Sequence, residues 1–390
     1  MQFNILFYLA LILLSGLIFG RAVKMIRLPN VTGYLIAGLL IGPYVFKLVP
    51  LDIVTGLELI SEIALAFIAF SIGSEFKLTF LKKVGTVSIV IAVFAALAAT
   101  VLVSAALIAF GLNTETALLL GTIASATAPA ATVMVVRQYK AKGPVTETLM
   151  SVVALDDAVA LMLFGFVVAM VNIMKNPGES SLLLSILAPL VEILGSILLG
   201  FVLGFLFTIP LRYFKKDSNR LIIIAAFIFL GSSLATMLGL SPLLLCMSIG
   251  AMLVNISNSS NSILKLADSI TPPIFLMFFV ISGMELDISI LPQVGLIGIL
   301  YIIFRVIGKV AGAYIGAVIS KAPVTVKKYI GYTLIPQAGV AIGLSLMASR
   351  LVPEYGQTIR AVVLSATLIY ELIGPAITKI ALQKAGEIKI

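Results

Sequence analysis

Apolar runs long enough to cross a lipid bilayer recur from one end of this chain to the other, and no other feature restricts its folding as much. A hydrocarbon core of about 30 Å takes about 20 apolar residues per helix. Lipid cannot pair backbone N–H and C=O groups, so only helices and closed barrels span it. A barrel would show short segments of alternating hydrophobicity, and these runs are continuous. Of 390 residues, 61% are hydrophobic and 11% charged, whereas a soluble domain carries roughly 25% charged residues. The mean hydropathy is +1.20. The expectation is an all-α integral membrane protein.

Charged and Pro/Gly-rich breaks divide the runs into thirteen spans. They lie near 4–20, 31–47, 57–74, 84–110, 117–136, 146–172, 182–210, 220–238, 241–256, 268–283, 290–320, 325–349 and 357–380. Charge placement tests the division. With alternate loops assigned to one face, most of the 26 basic residues collect there, including Arg21, Lys24, Lys82, Lys140, Lys142, Lys216, Lys328 and Lys384. Only Lys47, Lys175, Arg350 and Arg360 fall on the other face, and Arg305 and Lys309 lie inside a span. The positive-inside rule then predicts an external N-terminus and a cytoplasmic C-terminus. The net charge of +9 is thereby explained by topology, and nucleic acid is excluded as a partner. Tyr44, Tyr139, Tyr213, Tyr329 and Tyr355 are the expected interfacial anchors, since tryptophan is absent.

The single cysteine, Cys246, excludes an intrachain disulfide and a thiolate cluster. With no histidine in the chain, proton chemistry falls to carboxylates and lysines. The N-terminus lacks the basic start of a cleaved signal peptide, so the first span is expected to be retained.

Pro129-Ala130-Ala131-Thr132-Val133 and Pro336-Gln337-Ala338-Gly339-Val340 share the pattern Pro-x-Ala-x-Val. The offset between them, 207 residues, also carries spans 2, 3, 4 and 6 onto spans 9, 10, 11 and 13. A shift of seven spans is odd, so the two halves run in opposite senses across the bilayer, as in many secondary transporters. Span 7 is then the linker. Proline removes a backbone donor and clashes with the preceding turn, so both helices should break at mid-membrane. The freed groups need a polar cavity, to which Ser125, Thr127 and Thr132 can add oxygens.

Asp156 and Asp157 sit near the middle of span 6. Each costs roughly 2.5–3.5 kcal/mol to insert, and adjacent residues on a helix point about 100° apart. The two carboxylates therefore meet different surroundings. Arg305 and Lys309, four residues apart on one face of span 11, supply the missing countercharge. The reading is a Lys309–Asp156 salt bridge beside a carrier carboxylate, Asp157, that takes either a cation or a proton. Glu371 in span 13 is expected to satisfy Arg305 or the broken-helix backbone. Glu62 and Glu192 face a cavity or a neighbouring subunit.

Paired aspartates in span 6, a lysine in span 11 and two broken helices resemble the monovalent cation/proton antiporter family along the whole chain. The likeness is to its second branch and the bacterial NapA-type Na⁺/H⁺ antiporters. Asn-Asp in place of Asp156-Asp157 would point to the electroneutral branch. The resemblance implies a transport core of 84–172 and 290–383, a scaffold and dimer domain of 1–83 and 220–289, and a linker helix within 173–219. It also implies unwound spans 5 and 12 that cross and an elevator movement of the core. Na⁺ would be held at Asp157 and Asp156, its entry releasing Lys309, in an electrogenic cycle of two protons per Na⁺ with no cofactor. The expected setting is a homodimer in a prokaryotic plasma membrane. Span 12 departs from the pattern by reading Pro336-Gln337-Ala338-Gly339, without the Arg and Glu that many relatives carry after the proline, so support at the crossing must differ, with Glu371 and Gln337 expected to compensate.

Other readings compete. K⁺/H⁺ or mixed Na⁺/K⁺ exchange fits the same scaffold, and a Na⁺-coupled solute symporter shares the architecture. An intramembrane aspartyl protease needs two aspartates on separate helices, one in a Gly-x-Gly-Asp motif, whereas here the pair is contiguous and the motif is missing. A channel would show a filter-like repeat.

Overall fold

The computed structural model describes residues 4–25, 30–74, 76–128, 132–133, 135–136, 139–175, 182–257, 260–287, 289 and 291–388. Every regular element among them is helical. In chain order these are α1 (Ile5–Met25), α2 (Asn30–Ile41), α3 (Leu51–Gly56), α4 (Glu58–Ser74), α5 (Leu78–Ala109), α6 (Thr114–Ile123) and α7 (Pro144–Lys175). There follow α8 (Leu182–Tyr213), α9 (Asp217–Met237), α10 (Pro242–Ile256), α11 (Ser260–Met284), α12 (Leu291–Ile319), α13 (Val324–Thr333), α14 (Gly339–Leu351) and α15 (Gly356–Lys384). Among the described residues, eight helical stretches are long and apolar enough to cross a membrane, and α2, α10 and α14 are shorter apolar helices.

Helix ends depart from the sequence expectation for identifiable reasons. The apolar run predicts a second span over 31–47, but α2 stops at Ile41, because Pro43 cannot continue a helix. The sequence predicts a tenth span over 268–283, yet α11 starts at Ser260. Lys265 marks the edge of the apolar run without breaking the hydrogen-bond ladder. The broken twelfth span is present as α13, a non-helical stretch over 334–338, and α14. In the fifth span α6 ends at Ile123 and residues 126–128 are non-helical. Pro129, to which that break was assigned, lies outside the described residues.

The chain divides into two compact units, one of Met1–Glu58, Val84–Ala160 and Leu276–Ile390, the other of Leu59–Lys83 and Leu161–Phe275. The second unit is held by close helix contacts and by stacked rings. The Gly73 and Gly250 backbones pack directly on Met247 and Phe70, and the Phe207 and Phe227 rings stack with centroids 4.9 Å apart.

In the first unit α12 lies directly against α5. Gly308, Gly312 and Gly316 recur every four residues, and a Cβ on any of them would come within 3.0 Å of atoms in the Ile91–Ala99 stretch. Small residues at this spacing let two helix backbones approach, a common packing device of membrane helices. Lys309 follows the first of these glycines, so the α5 contact fixes the rotation of α12 that directs its amine.

Candidate ion-binding site

The site is built where two unwound segments meet. The Ala128 N–H donates to the Pro336 carbonyl at 2.9 Å, and the Thr127 hydroxyl donates to the Leu334 carbonyl at 3.4 Å. Thr127 and Leu334 are separated by 207 positions, the same offset that relates the two proline motifs.

Unwinding leaves carbonyls without helical partners, and Arg305 of α12 collects them. Its Nε donates to Ala124 O at 2.9 Å, Nη1 to Ile335 O at 2.6 Å, and Nη2 to Ala126 O at 2.8 Å and Pro336 O at 3.4 Å. One guanidinium thus ties both segments together. The Tyr370 ring of α15 lies 4.4 Å from its central carbon, and the Tyr370 hydroxyl donates to Ile302 O at 2.9 Å. Gln337 adds a second stitch, donating to Ile123 O at 2.9 Å and to the Tyr301 hydroxyl at 3.0 Å.

One turn beyond Arg305, the Lys309 amine donates to Asp156 Oδ2 at 2.6 Å, with both side chains fully buried. Asp157, the next residue on α7, is also buried, with the Thr127 backbone beside its carboxyl group. Asp156 Oδ1 and Asp157 Oδ1 are both buried with no hydrogen-bond partner. Such unpaired acceptors cost about 1–3 kcal/mol each, and consecutive residues of α7 carry them.

The structure therefore brings Asp156, Asp157, Lys309, Arg305, Thr127 and Gln337 into one cluster. The Ser125 hydroxyl turns back to Thr122 O at 2.6 Å, and that of Thr132 donates to Ala128 O at 3.3 Å. Glu371 does not pair with Arg305, the first of the two partners expected of it. Carbonyls and the Tyr370 ring occupy the guanidinium, and Glu371 Oε2 accepts from Thr32 of α2 at 3.2 Å while Oε1 has no partner. Tyr301, Tyr370 and the α12 glycines were not singled out from the sequence. The four-residue glycine spacing was the one available signal.

A sodium/hydrogen exchanger transmembrane model matches residues 9–384. The chain belongs to the sodium/hydrogen exchanger family. It is thus a multi-pass membrane protein and a secondary transporter rather than an enzyme, in a family that needs no cofactor and moves Na⁺ and H⁺. The chain is 26% identical over 382 residues to the Na⁺/H⁺-K⁺ antiporter GerN of Bacillus cereus, covering 95% of each chain. It is 23% identical over 416 residues to the high-affinity Na⁺/H⁺ antiporter NhaS3 of Synechocystis, covering 94% of this chain and 88% of the relative. Among solved structures, the sodium proton antiporter MjNhaP1 of Methanocaldococcus jannaschii superposes with a TM-score of 0.80 at 17% identity, over 97% of this chain and 98% of that one. That likeness supports the fold.

Proposed function

We propose that this protein exchanges Na⁺ for protons, with Asp157 as the carrier carboxylate and the Lys309–Asp156 pair as the coupled switch. The observation that carries the reading is the unequal pairing of two adjacent buried aspartates. Asp156 holds a lysine at 2.6 Å, whereas Asp157 keeps an oxygen without a partner beside the unwound segment that contains Thr127. A Na⁺ ion arriving there would find Asp157 Oδ1 and Asp156 Oδ1 both free to coordinate it. Its charge would oppose the Lys309 ammonium, which would release Asp156 and give up its proton. Asp157 gives up a second, so the cycle moves two protons per Na⁺ and is electrogenic. An aspartate at 156, rather than asparagine, supports this stoichiometry and a place in the second branch of the family.

The rest of the reading follows the same scaffold. Thirteen spans form an inverted repeat, in which the Thr127–Leu334 contact joins equivalent positions near the pseudo-two-fold axis. A core of 84–172 and 290–383 moves as an elevator against a scaffold of 1–83 and 220–289 with its linker at 173–219. The protein works as a homodimer in a prokaryotic plasma membrane, N-terminus outside and C-terminus cytoplasmic.

K⁺ exchange is the second reading, favoured by the likeness to GerN, whose name includes K⁺. Proton flux in proteoliposomes tests both. Na⁺ or K⁺ gradients should collapse an imposed pH difference with wild-type protein, and Lys309→Gln should abolish the accompanying charge movement. A Lys309→Gln variant that still carries current at the wild-type rate would sink the two-proton scheme.

A further inference from the structure

The helix that bears the aspartate pair begins without a cap of its own. Gly143 precedes α7 and offers no side-chain oxygen, and Pro144 in the first turn has no N–H. The Glu147 N–H donates to Gly143 O at 3.0 Å, which leaves the Val145 and Thr146 N–H groups to be satisfied. Both donate at 2.7 Å to the carboxylate of Glu387, Val145 to Oε1 and Thr146 to Oε2. The Thr146 hydroxyl adds a third bond, also 2.7 Å, to Oε2. The Lys142 N–H donates to the Glu387 backbone carbonyl at 3.1 Å. One residue, separated from Thr146 by 241 positions, thus completes the first turn of α7.

Its delivery is built into the end of α15. Gly386 has φ +78, and the Gly386 and Glu387 N–H groups donate to Gln383 O and Leu382 O at 3.0 Å each. This is the paired closure of a Schellman motif, for which a left-handed glycine is the favoured residue. It reverses the chain and directs Glu387 at α7. Gly143 makes room, because a Cβ there would lie 2.5 Å from the Glu387 carboxyl carbon. An anion at a helix N-terminus also gains from the aligned peptide dipoles, and hydrogen bonds to a charged acceptor are the stronger kind.

We propose that Glu387 is a positioning residue for the aspartate pair, a clasp that makes the start of α7 and the end of α15 move as one body. From Thr146 to Asp156 the helix contains neither proline nor glycine and rises about 15 Å, so a tilt at its first turn reaches the carboxylates undamped. α15 is fixed at its middle through Tyr370 on Arg305, and Arg305 holds the crossing whose Thr127 backbone lies beside the Asp157 carboxyl group. The clasp closes that mechanical loop. Glu387 touches no transported ion, and the inference rests on the antiport reading only for its consequence in transport.

Two measurements on the full-length protein test it. Hydrogen–deuterium exchange at Val145 and Thr146 reads the clasp whatever ion is carried. Both amides should be protected in wild type and exposed in Glu387→Ala and Gly143→Ala. Transport in proteoliposomes reads the consequence. Each variant should raise the Na⁺ concentration for half-maximal exchange roughly threefold to tenfold, as expected when a fraction of a charged hydrogen bond's strength reaches the site. Glu387→Gln, which keeps the shape and loses the charge, should fall between. The Gly143→Ala/Glu387→Ala double variant should be no worse than Gly143→Ala alone, which combines loss of the same contact with backbone strain at φ +154. Wild-type Na⁺ dependence and pH profile in a Glu387→Ala protein whose α7 amides have become exposed would overturn the proposal. So would unchanged protection in that variant. Failure of Na⁺ exchange in wild type with the protection pattern intact would strike the antiport reading instead.

Discussion

Arg305 and Asp157 are both buried in the first unit, within reach of the same unwound segment, and they are treated in opposite ways. Arg305 spends four donor contacts on four carbonyls and lies under an aromatic ring. Asp157 and its neighbour each keep an oxygen with nothing to bind. A fully paired buried charge is strongly destabilising to remove, because its partners are left unsatisfied. A partly paired one already carries that cost in the folded state. The difference separates a charge that holds the crossing from one that remains available to a ligand.

The largest expected effect follows from that separation. Asp157→Asn should lose Na⁺-driven proton flux by about a hundredfold or more, since no carboxylate remains to carry the ion. Its thermal stability in detergent should stay level or rise, because an unpaired intramembrane acid is costly. Retained flux, or a large loss of stability, would remove the distinction between the two sites.

Arg305→Met should invert the pattern. Losing the guanidinium orphans the carbonyls of Ala124, Ala126 and Ile335, and breaking a buried charged network of this kind costs about 3–5 kcal/mol. The expected observation is a lower melting temperature and less folded protein, with flux lost in proportion to the folded fraction. A stable Arg305→Met protein with absent flux would assign Arg305 to the transport step.

Between these charges stands the α5–α12 contact. Gly312→Val would push side-chain atoms into the Phe94 carbonyl and the Ala98 methyl, which already lie 2.3 and 2.7 Å from a built Cβ. Overpacking of this kind costs about 1–3 kcal/mol. Because the contact sets the rotation of α12, the variant should also weaken apparent Na⁺ affinity through Lys309. Alanine at the same position should give the smaller shift. Equal effects would indicate that helix approach does not set the Lys309–Asp156 geometry.

How far the sequence revealed this arrangement depends on what kind of group each partner is. Asp156 and Lys309 were legible because an isolated charge in an apolar run is too costly to leave alone, and few opposite charges were available. The partners of Arg305 were not. Backbone carbonyls carry no residue signature, so an intramembrane acid, Glu371, was the natural guess, and the structure gives Glu371 to Thr32 instead. The break after Thr333 could be read from Pro336. Glu387 was invisible because a cap borrowed from 241 positions away leaves no local pattern. Local rules fail wherever a helix end is completed by a distant part of the chain.

The smallest expected effect separates the two ways in which Tyr370 meets α12. Its ring stacks on Arg305 and its hydroxyl bonds to Ile302 O at 2.9 Å. Tyr370→Phe keeps the ring and forfeits one hydrogen bond, worth about 1 kcal/mol, so the melting temperature should fall slightly and flux should be unchanged. Tyr370→Leu also removes the ring and with it the cation–π contact, itself worth about 0.5–2 kcal/mol depending on desolvation. If the phenylalanine variant were as unstable as the leucine one, the hydroxyl would be the anchor of α15, and the ring over Arg305 only its neighbour. If it matches wild type, the guanidinium is held from above by the aromatic face. The crossing then depends on α15 for position as well as on its own carbonyls.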